Sequence, residues 1–387
     1  MISIKYQKIY NQFIENYKQI HLAPWHEINE DELKKIYINL VNTMNITDMY
    51  TFKYFMDYII KRLNGKSDAH TKLDMVSTFP INFKIFDDEI IVNYPEVLKG
   101  ASLKTIDDIS ILQIVGEIED VISYGTDGKR RFEIEKALFN RYTMFSLPSF
   151  RGKQELSYTF ITPNGDTIIK TFKKNEKDQD GQLFDYDEYL YGNNATYKII
   201  DNILIYNHSS VQSQFEGKIK AAIEKLNKED LTNINTIIID IRGNTGGNSG
   251  LNSLLINFLK KHPDKKLLCL TDYRVFSAGR YALGDLIELG ATTIGSEIST
   301  PINCFGNNNW INIDGYNFAI SEKYFNPFLK YSANNKEQFS KDKSTELLAP
   351  YIFKPDIYIE ETKQDFIEGK DTVLNFALKH FKTQKSL

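Results

Sequence analysis

The sequence predicts an α/β protein with a parallel sheet in its C-terminal half, and three observations support this fold class. Of the 387 residues, 42% are hydrophobic and 25% are charged, which is the balance of a globular chain with a substantial core. From residue 196 onward, short β-branched segments alternate with amphipathic helical patterns. Such alternation is typical of parallel sheets with right-handed crossovers. The chain is too long for one ordinary domain, so we expect two.

Residues 1–75 are predicted to be helical. Apolar and aromatic side chains recur at helical spacing from Tyr6 to Tyr17, from Leu33 to Leu40 and from Phe52 to Leu63. Gly65 then follows at the position where a helix commonly ends. We interpret these aromatic stripes as core packing.

Residues 76–175 are predicted to form a mixed, β-rich middle region. FPINFKIF and EIIVNY flank an Asp-Asp turn, while LSYTFIT and TIIKTF flank Asn164-Gly165, a dipeptide that suits a tight hairpin. Between these hairpins, residues 132–145 are predicted to be helical. The polar run KKNEKDQDGQ then leads into an exposed linker, which we place at residues 176–195.

Residues 196–387 are predicted to form the α/β domain. The expected strands are ILIY, TIIID, LLCL and TTIG, and the continuous β-branched run of TIIID indicates a strand covered on both faces. Ser213 and Glu216 fit a capping box at the start of one helix. Another helix is expected from Ala278 to Leu289, where Gly290 ends it.

Composition and motifs exclude several classes of function. Forty-seven basic and 51 acidic residues leave a net charge of −4, which argues against a nucleic-acid-binding chain. No apolar run is long enough to span a membrane, so we expect no membrane insertion. The first residues lack a signal-peptide pattern, which favours the cytoplasm. Two cysteines and the absence of CxxC and HExxH patterns predict neither metal nor cofactor. An oligomer is compatible with the sequence.

A glycine-rich loop follows the predicted strand TIIID. Three of the five residues from Gly243 to Gly247 are glycines, and such a backbone can point N–H groups at an anion or a developing oxyanion. The spacing matches neither a phosphate-binding P-loop nor a dinucleotide fingerprint. A plain tight turn explains the pattern equally well.

Ser277 stands where the next predicted helix begins, after the strand LLCL. One interpretation is an ordinary N-cap serine. The other is a nucleophile that benefits from the positive end of the helix and from the N–H of Ala278.

Together these motifs resemble the C-terminal processing peptidases, which include the tail-specific proteases and tricorn-core relatives. TIIIDIRGNTGG resembles their Arg-Gly-Asn-x-Gly-Gly signature, and Phe276-Ser277-Ala278-Gly279 resembles the start of their nucleophile helix. Asp68-Ala69-His70-Thr71 resembles the Asp-x-His-Thr motif of the branch that uses a histidine base. Further matches at residues 321–325, 354–357 and 365–371 extend the resemblance over most of the chain.

The resemblance implies a crotonase/ClpP-like β-α-β core and a serine endopeptidase that hydrolyses peptides or unfolded proteins through an acyl-enzyme. Ser277 would be the nucleophile and His70 the base. The N–H groups of Gly246 or Gly247 and of Ala278 would form the oxyanion hole. Relatives with a Ser/Lys mechanism carry a lysine about two dozen residues after the serine, and this chain has none there. Residues 1–75 would then supply the base to a catalytic domain at 196–387.

Two assignments stay open. His208 follows the first predicted core strand and is the rival base to His70. Glu346 is our choice for the carboxylate that orients the histidine, with Glu337 and Glu297 as alternatives; surface charge is the other interpretation of all three.

The sequence also departs from the family. Arg280 stands where an acidic residue is common, and Gly295-Ser296-Glu297 replaces a Gly-Glu-x-Thr pattern. Residues 99–103 only faintly resemble a PDZ module. The alternative function is therefore that of a catalytically degenerate relative that binds peptides or other ligands. A crotonase-like acyl-CoA enzyme is a third option, which leaves the match at His70 unexplained.

Overall fold

The structure is a computed structural model that describes residues 1–175, 193–342 and 351–382. The described residues divide into two compact units, each built from separate stretches of the chain. The first unit draws on Met1–Phe184, Asn303–Asn326 and Tyr331–Pro350, and the second on Asp185–Ile302, Pro327–Lys330 and Tyr351–Leu387, as far as these residues are described.

The helices and strands are numbered in chain order within the described residues. The α-helices are α1 (Ile4–Ile20), α2 (Glu30–Thr43), α3 (Met49–Asn64), α4 (Ile111–Glu119), α5 (Asp127–Phe139), α6 (Arg141–Ser146), α7 (Glu216–Leu226), α8 (Asn252–Leu259), α9 (Ala278–Glu288), α10 (Lys336–Asp342), α11 (Lys363–Ile367) and α12 (Thr372–Lys382). The β-strands are β1 (Lys72–Leu73), β2 (Asn82–Phe86), β3 (Glu89–Tyr94), β4 (Ser102–Ile106), β5 (Ile109–Ser110), β6 (Glu155–Ile161), β7 (Thr167–Lys173), β8 (Tyr197–Ile200), β9 (Ile203–Asn207), β10 (Thr236–Asp240), β11 (Lys266–Thr271), β12 (Thr292–Gly295), β13 (Cys304–Ile313), β14 (Tyr316–Asn326), β15 (Tyr331–Ala333) and β16 (Ile357–Tyr358).

The first unit begins with the three helices that the aromatic stripes predict. Asn29 and Asp48 cap α2 and α3 through capping boxes, in which the cap side chain accepts from the helix backbone. Gly65 ends α3 with φ at 51°, a conformation that glycine adopts without strain. The stripe residues of α1, such as Tyr17, are buried, as expected of a core face.

A sheet of order β2-β3-β4-β6-β7 forms the middle region, with β5 paired to β4. Both predicted hairpins are present, and Gly165 takes φ of 90° in the second turn. The predicted helix at 132–145 is instead interrupted at Asn140. The side chain of Asn140 accepts from the N–H of Thr143, so this residue ends α5 and caps α6.

A second sheet of the first unit contains the long hairpin β13–β14, with β1 and β15 each paired to β14. The chain directly after α3 lies beside this hairpin, because Asp68 forms an isolated parallel bridge with Phe305. The hairpin therefore fixes the segment that carries His70, although more than 230 residues separate the two in sequence.

The second unit has a six-stranded sheet of order β16-β12-β11-β10-β9-β8. All neighbouring pairs from β9 to β16 are parallel, and only β8 runs antiparallel. Apolar residues are buried on both faces, as the run TIIID predicts for β10. The capping-box prediction at Ser213 is wrong: residues 213–215 form a 3₁₀ turn, and α7 begins without a side-chain cap.

No helix within the described ranges is both long enough and apolar enough to cross a membrane. Most of the predicted linker, residues 176–192, lies outside the described residues.

Candidate active site

Ser277 lies in a strained turn between β11 and α9. Its backbone has φ 48° and ψ −119°, and its side chain makes no N-cap hydrogen bond to the helix that follows. Holding a non-glycine residue in so sparsely populated a conformation costs about 1–3 kcal/mol and is common at functional sites. The ordinary N-cap interpretation therefore does not describe this serine.

Asn244 holds the glycine-rich loop against the Ser277 turn. It is fully buried, and its main-chain carbonyl accepts from the N–H of Phe276 at 2.9 Å. Its side chain accepts from the N–H of Gly246 at 3.0 Å and donates to the carbonyl of His208 at 2.7 Å. One asparagine thus connects the glycine loop, the end of β9 and the residue before Ser277.

The glycines of the loop allow it to approach Ser277 closely. A Cβ on Gly246 would lie 2.7 Å from both Ala278 N and Ser277 Cβ, closer than real Cβ contacts. A Cβ on Gly247 would lie 2.4 Å from the carbonyl oxygen of Val211. Only glycine fits at these two positions, which also have φ of 100° and 130°.

The backbone N–H groups near Ser277 differ in whether they already donate a hydrogen bond. The N–H of Gly246 already donates to the side chain of Asn244. Within the described part of the chain, the N–H groups of Gly247 and Ala278 donate no hydrogen bond. The N–H of Ala278 is also the first of its helix, where backbone donors have no intrahelical acceptor. The N–H of Gly246 is therefore already in use, unlike those of Gly247 and Ala278.

His208, the rival base, is buried and is linked through Asn252 to the start of α9. Asn252 donates from Nδ2 to the carbonyl of Ala278 at 3.1 Å, which leaves its Oδ1 as the acceptor for His208 Nε2 at 2.9 Å. Nε2 therefore carries the hydrogen. Burial lowers the pKa of His208, so the ring is neutral near pH 7, and its contacts suit a structural role.

Arg242, in the same signature, has a structural role too. Its guanidinium contacts Asp240 Oδ2 at 2.7 Å and Asp371 Oδ1 at 2.8 Å. Burial opposes the charge, but these two carboxylates hold the pKa of Arg242 well above its ordinary value. The pair of bonds ties the end of β10 to the start of α12.

His70 lies in the first unit, where a main-chain carbonyl fixes its ring. Nδ1 lies 3.1 Å from the carbonyl oxygen of Phe305, and the residue is only 7% exposed. A carbonyl can only accept, so Nδ1 carries the hydrogen of this bond. Gly306 makes room for this arrangement, because a Cβ there would lie 3.1 Å from Cε1 and 3.2 Å from Nδ1.

Asp68 fixes the backbone of His70. Its carboxylate accepts from the N–H groups of His70 and Thr71 and from the hydroxyl groups of Thr71 and Ser321. His21 Nε2 lies 3.4 Å from the same carboxylate. Burial alone would raise the pKa of Asp68, but the nearby His21 side chain and the hydrogen bonds from Thr71 and Ser321 hold that pKa well below its usual range.

The structure thus brings Gly246, Gly247, Ser277 and Ala278 together in the second unit. Glu346 lies outside the described residues. Of its alternatives, Glu337 is a surface residue that pairs with Lys341, and Glu297 is partly buried in the second unit.

Sequence reasoning missed the residues that hold the site. The structural roles of Asn244 and Asn252 depend on side-chain orientation, and that of Phe305 on a main-chain atom. Of these residues, only Asn244 could have been singled out from the sequence, because it belongs to the Arg-Gly-Asn-x-Gly-Gly signature.

No family model and no curated protein sequence matches the chain. Among solved structures, mature CPAF aligns with 99% of this chain and 98% of its own length, at 10% identity and a TM-score of 0.64. Mature CPAF complexed with lactacystin aligns with 94% of this chain and 95% of its own length, at 11% identity and a TM-score of 0.63. The photosystem II D1 C-terminal processing protease aligns with 92% of this chain and 94% of its own length, at 11% identity and a TM-score of 0.47.

The similarity to mature CPAF is one of fold and covers nearly the full length of both chains. At such low identity it says nothing about individual catalytic residues. It agrees with the independent order of motifs along the sequence. The comparison therefore shows the fold that this chain shares with mature CPAF.

Proposed function

We propose that this protein is a serine endopeptidase that hydrolyses peptide bonds in peptides or unfolded protein segments. The observation that carries the proposal is the strained, partly exposed Ser277 at the start of α9, beside the N–H groups of Ala278 and the glycine loop. A serine held in this way is exposed to a substrate carbonyl, and the helix N-terminus stabilises negative charge beside it. We also propose that the parallel sheet and its helices form a crotonase/ClpP-like core.

In the proposed acylation step, Ser277 Oγ attacks the carbonyl carbon of the substrate and its proton passes to His70 Nε2. The oxyanion accepts hydrogen bonds from the N–H groups of Gly247 and Ala278, and such donors contribute about 3–4 kcal/mol each. The C–N bond then breaks, and His70 returns the proton to the leaving amine. The acyl group stays on Ser277 as an ester.

In the proposed deacylation step, a water molecule attacks the ester and gives its proton to His70 Nε2. Collapse of the second tetrahedral intermediate releases a carboxylic acid and returns the proton to Ser277 Oγ. Throughout, the Nδ1–H of His70 stays bonded to the Phe305 carbonyl, which keeps Nε2 as the basic atom. Glu346 is the proposed carboxylate that offsets the imidazolium charge.

The proposal requires His70 Nε2 to reach hydrogen-bond distance of Ser277 Oγ during the reaction. The base and the nucleophile belong to different units of the chain. The two roles can be tested by separate substitutions of Ser277 and His70.

A fluorophosphonate probe tests the nucleophile directly, because it reacts with an activated serine and not with ordinary hydroxyl groups. We expect covalent labelling of the wild type, its loss in Ser277→Ala, and its retention in the control Ser249→Ala, which removes an exposed serine of the same unit. Peptide mass spectrometry should locate the adduct on Ser277. Lactacystin, present in one CPAF structure, provides a second probe.

The same experiment separates the peptidase from the non-catalytic binding protein. A folded wild type that binds unstructured peptides but takes no label and releases no product would identify the binder. Labelling that survives in Ser277→Ala would also contradict the proposal.

A further inference from the structure

Arg280 is a buried cation in the first turn of α9, three residues after Ser277. The residue is 1% exposed. Its Nε donates to the carbonyl of Ser277 at 3.2 Å, and its Nη1 donates to the carbonyls of Pro301 at 3.3 Å and Ile302 at 2.5 Å. Within the described residues, none of its hydrogen bonds goes to a carboxylate. A buried charge without a counter-ion is unfavourable, so these carbonyl dipoles must stabilise it.

The carbonyl of Ser277 is held twice by the same residue. It accepts from the main-chain N–H of Arg280 at 3.1 Å as well as from the guanidinium. Ser277 is also the residue of this turn with a left-handed φ. Because the strained conformation persists only where surrounding contacts determine it, the guanidinium bond opposes relaxation of the turn.

The other end of the guanidinium is anchored in the segment after β12. Pro301 and Ile302 belong to the second unit, as Ser277 does. The planar fork of arginine can bridge carbonyls that lie in different directions, which the ammonium of lysine does less well. Arg280 therefore connects the Ser277 turn to a chain segment more than 20 residues later.

We infer that Arg280 is a positioning residue for the nucleophile. Through the Ser277 carbonyl, it fixes the peptide plane between Ser277 and Ala278 and hence the directions of Oγ and of the Ala278 N–H. This inference rests on the proposed peptidase function. The positioning role explains why the Arg280 cation is buried here, although no step of the proposed reaction uses its charge.

The experiment compares Arg280→Met and Arg280→Lys with a matched control, Arg141→Met. Arg141 is also buried, at 5% exposure, and donates to the main-chain carbonyls of Lys173 and Thr78, but it lies in the first unit. All variants are taken as full-length chains shown to be folded by circular dichroism. The fluorophosphonate labelling rate and the hydrogen exchange of residues 273–283 are then measured.

We expect labelling to slow at least tenfold in Arg280→Met and by a smaller factor in Arg280→Lys. Backbone hydrogen exchange in residues 273–283 should become faster in both. Arg141→Met should melt at a lower temperature than the wild type and keep its labelling rate and its exchange in this segment. If Arg280→Met does not fold, the labelling rate of Arg280→Lys and its hydrogen exchange in residues 273–283 test the positioning role instead.

The outcomes separate this inference from the proposed function. A labelled wild type with unchanged labelling and unchanged exchange in the Arg280 variants overturns the positioning role and leaves the peptidase proposal standing. A wild type that takes no label refutes the peptidase proposal. In that case, faster exchange of the Ser277 turn in the variants still supports the positioning role, and unchanged exchange overturns it.

Discussion

Replacing Gly246 by alanine should slow the proposed reaction of Ser277 through a contact that can be measured in the structure. The new Cβ would lie 2.7 Å from Ala278 N and from Ser277 Cβ, whereas ordinary contact begins at 3.4 Å. The loop and the Ser277 turn must therefore separate by about 0.7 Å. Since a misplacement of about 1 Å at a reacting centre can reduce the rate on the order of 100-fold, we expect a loss of this size in Gly246→Ala.

Gly243→Ala is the matched control for this prediction. Gly243 belongs to the same loop and also has a positive φ, 74°, but its added Cβ would meet only the Arg274 side chain at 3.9 Å. Both variants place an L-residue at a positive φ, which costs roughly 1–2 kcal/mol in the left-handed region. Thermal unfolding measures this strain in each variant. Only Gly246→Ala adds the clash with the Ser277 turn, so the difference between the variants isolates the effect of that clash.

The assay is the second-order rate of fluorophosphonate labelling, together with hydrolysis of an unstructured peptide. We expect Gly243→Ala to keep its rate within about threefold of the wild type, because its loop can hold its position. Equal labelling rates in the two folded variants would refute the reasoning that this loop must pack closely against Ser277.

Three further predictions concern the histidines and their partners. Gly306→Ala should slow labelling about tenfold by pushing on the ring of His70, whereas Gly116→Ala, with open space at its Cβ, should not change the rate. Asp68→Asn should reduce stability by about 2–4 kcal/mol, because it breaks a buried network. The folded pKa of Asp68 is depressed, so its contribution is complete above the unfolded value near 4 and is lost as the pH falls through the folded value. Urea titrations at several pH values should show this difference shrinking in acid. His208 should also make the protein less stable in acid, but in a different pH range. Below pH 6.5 its imidazole takes up a proton in the unfolded chain, whereas the lowered pKa keeps it neutral in the folded protein. The free energy of unfolding should therefore fall with pH in this range, and His208→Gln should reduce that dependence.

Local patterns were sufficient to predict most of the secondary structure. The aromatic stripes predicted the three N-terminal helices, and Asn164-Gly165 predicted the hairpin of β6 and β7. The alternation of strands and helices after residue 196 predicted the parallel pairing of β9 to β12. These features depend on periodicity and turn chemistry, which a single stretch of sequence contains.

Where local prediction failed, a neighbouring contact decided the outcome. Asn140 breaks a segment of continuous helical periodicity, because its side chain caps the next helix. Ser213 has the spacing of a capping box but enters a 3₁₀ turn instead. In both cases several local arrangements suit the same residues, so the spacing of residues alone does not select one of them.

The sequence by itself determined the candidate chemistry. The glycine spacing, Ser277 at a helix start and the Asp68-Ala69-His70-Thr71 motif are visible in the order of residues. Their resemblance to the C-terminal processing peptidases implied a serine nucleophile with a histidine base. The missing lysine after Ser277 was likewise a property of the sequence alone.

Only the tertiary structure decided how these groups are held. The atom that fixes His70 is the main-chain carbonyl of Phe305, 235 residues away, and a carbonyl is common to every residue type. The positive φ of Ser277, the bond from the Gly246 N–H to Asn244 and the carbonyl contacts of Arg280 likewise depend on backbone geometry. Residue identity specifies side-chain chemistry, whereas the direction of backbone N–H and C=O groups depends on how distant segments pack.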